Sequence, residues 1–155
     1  MKINLPLLGK TKDSFIEAGI KEYSGRLKHY TPITVNILKV KKKKGWTEEQ
    51  DRQEEGRLLL ANTTPADVKV VLDSSGKQIS SVQFADLLSR WEQEGRKLAS
   101  FLIGGPTGHS NDVLQQANFT LSLSRVTFTH DMVRMFLLEQ LYRAYTIKAG
   151  EKYHK

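Results

Sequence analysis

The chain has 155 residues, 39% of them hydrophobic and 26% charged, with 24 lysines and arginines against 17 acids. That length suits one domain around one core, and no apolar run approaches the roughly 18–20 residues of a membrane span. With no cysteine, disulfides, thiolate metal sites, cysteine nucleophiles and iron–sulfur clusters are excluded; a formal charge of +7 suits a polyanionic partner or serves solubility alone.

In chain order, residues 2–8 form a first strand rather than a secretion signal, since no small-residue cleavage site follows them. Residues 13–29 carry Phe15, Ile16, Ile20, Tyr23 and Leu27 at helical spacing. Residues 33–40 are a second strand. The lysines that follow, Lys39 and Lys41 to Lys44, serve either as a solvated loop or as an RNA contact. Thr47 and Gln50 make a capping box that starts a second helix, which ends at a turn near 62–65. Residues 68–73 are a buried strand, stopped by a turn at 74–76. Ser80 and Gln83 repeat the capping box, and Phe84, Leu87, Leu88 and Trp91 stripe one face of the helix behind it. A strand at 98–103, a short helix at 111–117, a short strand at 119–123 and a helix at 130–148 complete the pattern. Strands alternating with helices predict an α/β fold, with a parallel sheet flanked by helices, in a single domain over residues 1–155.

Ligands of open parallel sheets sit beyond the carboxyl ends of the strands. Three segments fall there: 72–77 (LDSSGK), 103–108 (IGGPTG) and 121–128 (LSLSRVTF). The paired glycines match no standard nucleotide motif and serve either a ligand or a structural turn. The third segment reads as an edge strand or as backbone waiting for a bound base. The four histidines, His29, His109, His130 and His154, show no paired ligand spacing, so no metal is expected. The last helix is apolar on two sides, Val133, Phe136, Leu137, Leu141 and Ala144 on one and Met132, Met135, Leu138, Tyr142 and Tyr145 on the other. In so short a chain the second side predicts a partner subunit and hence a homodimer. Glu139 and Arg143 stand at i, i+4, a spacing for a helix salt bridge that leaves the guanidinium able to meet RNA phosphate. At the end, Tyr153 offers a stacking face and His154 titrates near neutrality, although an unstructured terminus is the default there.

Taken in order, LDSSGK, FLIGGPTG, LSLSRVTFTHDMVR, EQLYRAY and YHK resemble the ribosomal RNA large subunit methyltransferase H family of the SPOUT superfamily. The similarity runs the length of the chain and is weakest over 39–62. It implies a C-terminal trefoil knot and S-adenosylmethionine held by Leu72, Gly104, Leu123, Ser124, Arg125, Val126, Thr127 and Phe128. It also implies a cytoplasmic homodimer that methylates N3 of a pseudouridine in 23S rRNA within the ribosome. Family members often have proline before the histidine of the last helix; Thr129 stands there in this chain and can cap the helix instead. Removing the N3 proton needs a base or a network that favours the anion. His154 and Tyr153 are the candidates, with Arg143 holding phosphate or a developing oxyanion. A non-catalytic RNA- or ribosome-binding factor, or a SPOUT enzyme acting on transfer RNA, is the alternative.

Overall fold

The computed structural model describes residues 1–64 and 68–154, the side chain of His154 excepted. The expected turn at 62–65 therefore runs partly outside the described residues. The elements are β1 (Lys2–Leu8), α1 (Ser14–Leu27), β2 (Ile33–Leu38), α2 (Glu48–Ala61), β3 (Val68–Lys77), α3 (Ser81–Gln93), β4 (Leu98–Ile103), α4 (Asn111–Gln115), β5 (Phe119–Leu121) and α5 (His130–Lys148), followed by a 3₁₀ turn, Lys152–His154. The strands form one sheet in the order β2-β1-β4-β3-β5, and every pairing is parallel.

Alternation along the strands sends side chains to two separate cores. Ile3, Leu5, Leu7, Val70, Phe101 and Ile103 face α1, α3 and α5, while Leu8, Val71 and Leu102 meet Leu59 of α2 and Val113 of α4. The helices start where local chemistry says they should. Thr47 and Ser80 each accept the N3 amide, and Gln50 and Gln83 reach back to the cap amides at 2.9 and 2.8 Å. Thr129 caps α5 through the amide of Met132, and Asp13 caps α1 through Phe15 and Ile16.

Three sequence expectations change. The turn at 74–76 is instead a bulge within β3: pairing with Leu121 jumps from Leu72 to Lys77. Gly76 makes this possible, because a Cβ there would sit 2.8 Å from the backbone of Thr120 and Leu121. Phe15 leaves the α1 stripe and is 78% exposed. Finally, the second apolar side of α5 is covered by the same chain. Tyr142 packs on Tyr23 and Tyr30, and Tyr145 on Tyr30, while Met135 lies against Gly19. Sandwiched between α1 and α3, that side gives no argument for a partner subunit.

Candidate functional site

The carboxyl ends of β3, β4 and β5 surround a cavity of about 680 Å³. Leu72, Gly104, Leu123, Ser124, Val126, Thr127 and Phe128, all expected from the sequence, line it. Arg125, expected with them, is exposed and is not part of the wall. Asp73, Ser74, His109, Thr129, His130 and Val133 complete much of the remainder.

The glycine loop after β4 is shaped by its own backbone. The Gly108 amide donates to the Gly105 carbonyl at 3.0 Å, and Gly108 sits at φ +83°, a left-handed conformation. A Cβ on Gly104 would lie 2.9 Å from the Gly108 backbone, so the turn closes only on glycine. Beneath it, α2 supplies Glu55, a buried carboxylate against Gly105. Burial raises its pKa above the ordinary carboxylate range. Arg52 of the same helix donates from Nε to the Thr107 carbonyl at 3.0 Å. The loop after β5 satisfies itself in part. Ser122 donates its amide to the Lys77 carbonyl and its hydroxyl to the Ser124 carbonyl, both at 3.0 Å, and the Val126 amide donates to Ser124 Oγ.

Two wall residues set the local charge. Asp73 accepts the Ser75 hydroxyl at 2.6 Å and its amide at 2.9 Å. The hydroxyl bond, more than any other contact, holds its pKa below the usual value, so the carboxylate is ionised at neutral pH. His109 lies 3.0 Å from the Leu72 carbonyl through Nε2, and burial lowers its pKa. The ring is therefore neutral, with its proton on Nε2, and it pins the end of β3 to the glycine loop. Sequence reading weighed His109 only as a metal ligand. The signal was its position directly after the glycine motif.

The proposed catalytic group lies elsewhere in the chain. Arg143 donates to Glu139 from both Nε and Nη2, and its guanidinium stands 5.0 Å over the Tyr153 ring. Tyr153 meets Tyr142 edge-on at 4.7 Å and donates to Glu139 at 3.4 Å. Burial first, then Tyr23 and Glu139, raise its pKa, so its hydroxyl stays protonated and serves as a donor rather than a base. The backbone of His154 ends the 3₁₀ turn, but its side chain is outside the described residues. Arg143 is ten positions beyond the wall residue Val133, about 15 Å along α5 at the ordinary helical rise. A smaller cavity of about 240 Å³ adjoins the first across Leu123, Ser124 and Phe128 and has Glu139 on its lining. The structure therefore groups the expected cofactor residues in one place and Arg143 with Tyr153 in another.

A volume of this size, with apolar walls and a few converging polar groups, fits a nucleoside-sized ligand. Among the described residues no group of three or more His, Asp or Glu side chains could hold a metal ion, and no helix is long and apolar enough to cross a membrane.

Comparison with known proteins agrees in length as well as in pattern. The family described as "Predicted SPOUT methyltransferase" matches residues 1–154. A Desulfotalea psychrophila protein named ribosomal RNA large subunit methyltransferase H is 52% identical over the whole of both chains. A Trichlorobacter lovleyi protein of the same name is 45% identical over 99% of each. Among solved structures, a probable methylase family protein from Haemophilus influenzae Rd KW20 aligns with a TM-score of 0.53 at 12% identity. That alignment covers 99% of this chain and 70% of the other, and it speaks for the fold alone. The chain belongs to the ribosomal RNA large subunit methyltransferase H family of SPOUT methyltransferases.

Proposed function

We propose that this protein transfers a methyl group from S-adenosylmethionine to N3 of a pseudouridine in 23S ribosomal RNA, on assembled ribosomes in the cytoplasm. The observation that carries the proposal is the convergence of Leu72, Gly104 and the 123–128 segment on one cavity at the strand ends. The names of the full-length relatives support the ribosomal substrate. The proposal includes the trefoil knot of the family, formed by the C-terminal loops.

When bound, S-adenosylmethionine supplies an electrophilic methyl group. Leu72, Leu123, Val126 and Phe128 give apolar contact for a base and ribose. Ser124, Thr127 and the Gly104 backbone offer hydrogen bonds, and the Asp73 carboxylate balances positive charge. Transfer to N3 is a displacement in which positioning does most of the work. The N3 proton must leave, and His154 is the proposed acceptor. Tyr153, kept protonated, donates to or stacks on the base, and Arg143 holds phosphate or the developing oxyanion.

Because Arg143 stands well along α5 from the cavity and Tyr153 lies beside it in the 3₁₀ turn, we place them at the cavity of a second copy in a two-fold homodimer. The exposed Val126, at 68%, and the half-buried Phe136 are available at such an interface. The test combines calorimetry with S-adenosylmethionine and mass mapping of 23S and transfer RNA from a deletion strain. Saturable cofactor binding and one missing methyl group on a 23S pseudouridine are expected. No cofactor binding would mean a non-catalytic RNA-binding factor, and a missing methyl group on transfer RNA would move the substrate. His154→Ala and Arg143→Ala should each slow single-turnover methylation by about 10²-fold or more; unchanged rates would remove them from the site.

A further inference from the structure

The carboxyl end of the sheet is divided. The cavity lies over β4, β3 and β5, while the loops leaving β1 and β2 carry Lys10, Lys12, Lys39, Lys41, Lys42, Lys43 and Lys44, all exposed. Since the strands are all parallel, both halves open on the same side. Helices α1, α2 and α5 also begin there, and their first-turn amides already contribute partial positive charge. For folding, cations belong at helix carboxyl ends, as Arg26, Arg90 and Lys148 stand here. Lysines gathered at the amino ends oppose that preference.

Neighbouring acids account for them only in part: Lys41 and Lys43 act on Glu54 and Lys42 on the buried Glu55, all at a distance and without an ion pair. Glu49, Glu54 and Asp131 are held by Arg52, Arg57 and Arg134, and Asp13 accepts the amides of its own helix. Glu48 and Asp51 lie in the first turn of α2, where they answer its dipole. Among the described residues none of the seven lysines is in an ion pair.

Position ties the lysines to the cavity. The Lys12 amide donates to Asp131 at 3.1 Å, next to His130 in the wall. His130 has its pKa lowered by burial and, among the smaller effects, by Lys12 and Lys42 from two different loops. Trp46 ends the lysine loop half-buried, with Lys43 Nζ 5.3 Å from its ring centroid. An aromatic face beside a row of cations is the pairing that binds single-stranded nucleic acid without reading its sequence.

We infer that the β1–α1 and β2–α2 loops form a phosphate track that leads an RNA strand into the cavity, with Trp46 as a stacking face for an unpaired base. This rests on the reading of the cavity as a site acting on RNA. The test uses the full-length protein with Lys41→Ala, Lys42→Ala, Lys43→Ala and Lys44→Ala combined. Trp46→Ala and an Arg96→Ala, Lys97→Ala control at the opposite end of the sheet complete the set. Binding of a fluorescent single-stranded RNA oligonucleotide is measured against salt, and S-adenosylmethionine binding is measured separately, with circular dichroism to show that each variant is folded. The lysine variant should bind RNA at least about tenfold more weakly and lose about 3 from the slope of log K against log salt. Trp46→Ala should lose about tenfold with the slope unchanged, and the control should lose little. Equal loss in the control would reduce the track to net charge. An unchanged lysine variant, or a wild-type protein that does not bind RNA, would overturn it. Failure of the cofactor to bind the wild-type protein would instead overturn the cavity reading, because RNA binding is read without it.

Discussion

His109 shows how one side chain can organise a site without touching chemistry. Its Nε2–H holds the Leu72 carbonyl across 37 residues of sequence, and Nδ1 is buried with no partner among the described residues. Protonation would create a second N–H with nothing to receive it. The folded state therefore resists the proton, in the direction that burial gives. The unfolded chain takes it up near the ordinary value of about 6.5. Stability from this group is accordingly full above about pH 6.5 and is lost as pH falls toward the depressed folded pKa. His109→Gln can still donate to Leu72 and cannot titrate, so its urea midpoint should fall less between pH 7 and pH 5 than that of the wild type. An identical fall would transfer the effect to other groups, His130 first, since burial lowers its pKa as well. None of this was legible beforehand. The glycine motif marked the loop, but the role of the histidine depends on a carbonyl that only the folded chain brings within reach.

Helices were legible where their causes are local. The caps at Thr47, Ser80 and Thr129 and the stripe of α3 follow from residues three or four apart, and the structure places them there. Arg134 is the opposite case. It is only 1% exposed within α5, and sequence gives an arginine to solvent by default. Its Nη2 donates to the Leu8 carbonyl at 2.7 Å, and its Nη1 donates to Gly9 and Thr11 and pairs with Asp131. Every partner but Asp131 lies more than a hundred residues away, which is why no periodicity revealed it. Removing one member of a buried, bonded pair costs about 3–5 kcal/mol. Arg134→Ala should lose that much in chemical denaturation, whereas Arg143→Ala, whose pair with Glu139 is partly exposed, should lose about 1 kcal/mol or less. Similar losses for the two would refute this account of α5.

At the scale of the molecule, alternating strands and helices made the parallel sheet legible, but not its order. From the edge strand β2 the chain crosses β1 and β4 to reach β3, then returns over β3 to place β5 at the other edge. Pattern cannot encode such crossings, because all the strands present similar apolar runs. The cavity and the exposed lysines share the carboxyl side of the sheet, an arrangement that suits the large substrate proposed above. On the proposed activity, methylation of ribosomal particles should exceed that of naked 23S RNA by about tenfold or more, and equal rates would remove particle recognition from the proposal. The tie from α5 back to Leu8 and Gly9 bears also on biosynthesis. Until residues 130–148 have been made, α1 and α3 leave apolar faces bare, and the carbonyls closing the first strand lack their donor. The fold is therefore completed by its last long helix. During synthesis, then, the preceding segments stay prone to aggregation until that helix emerges.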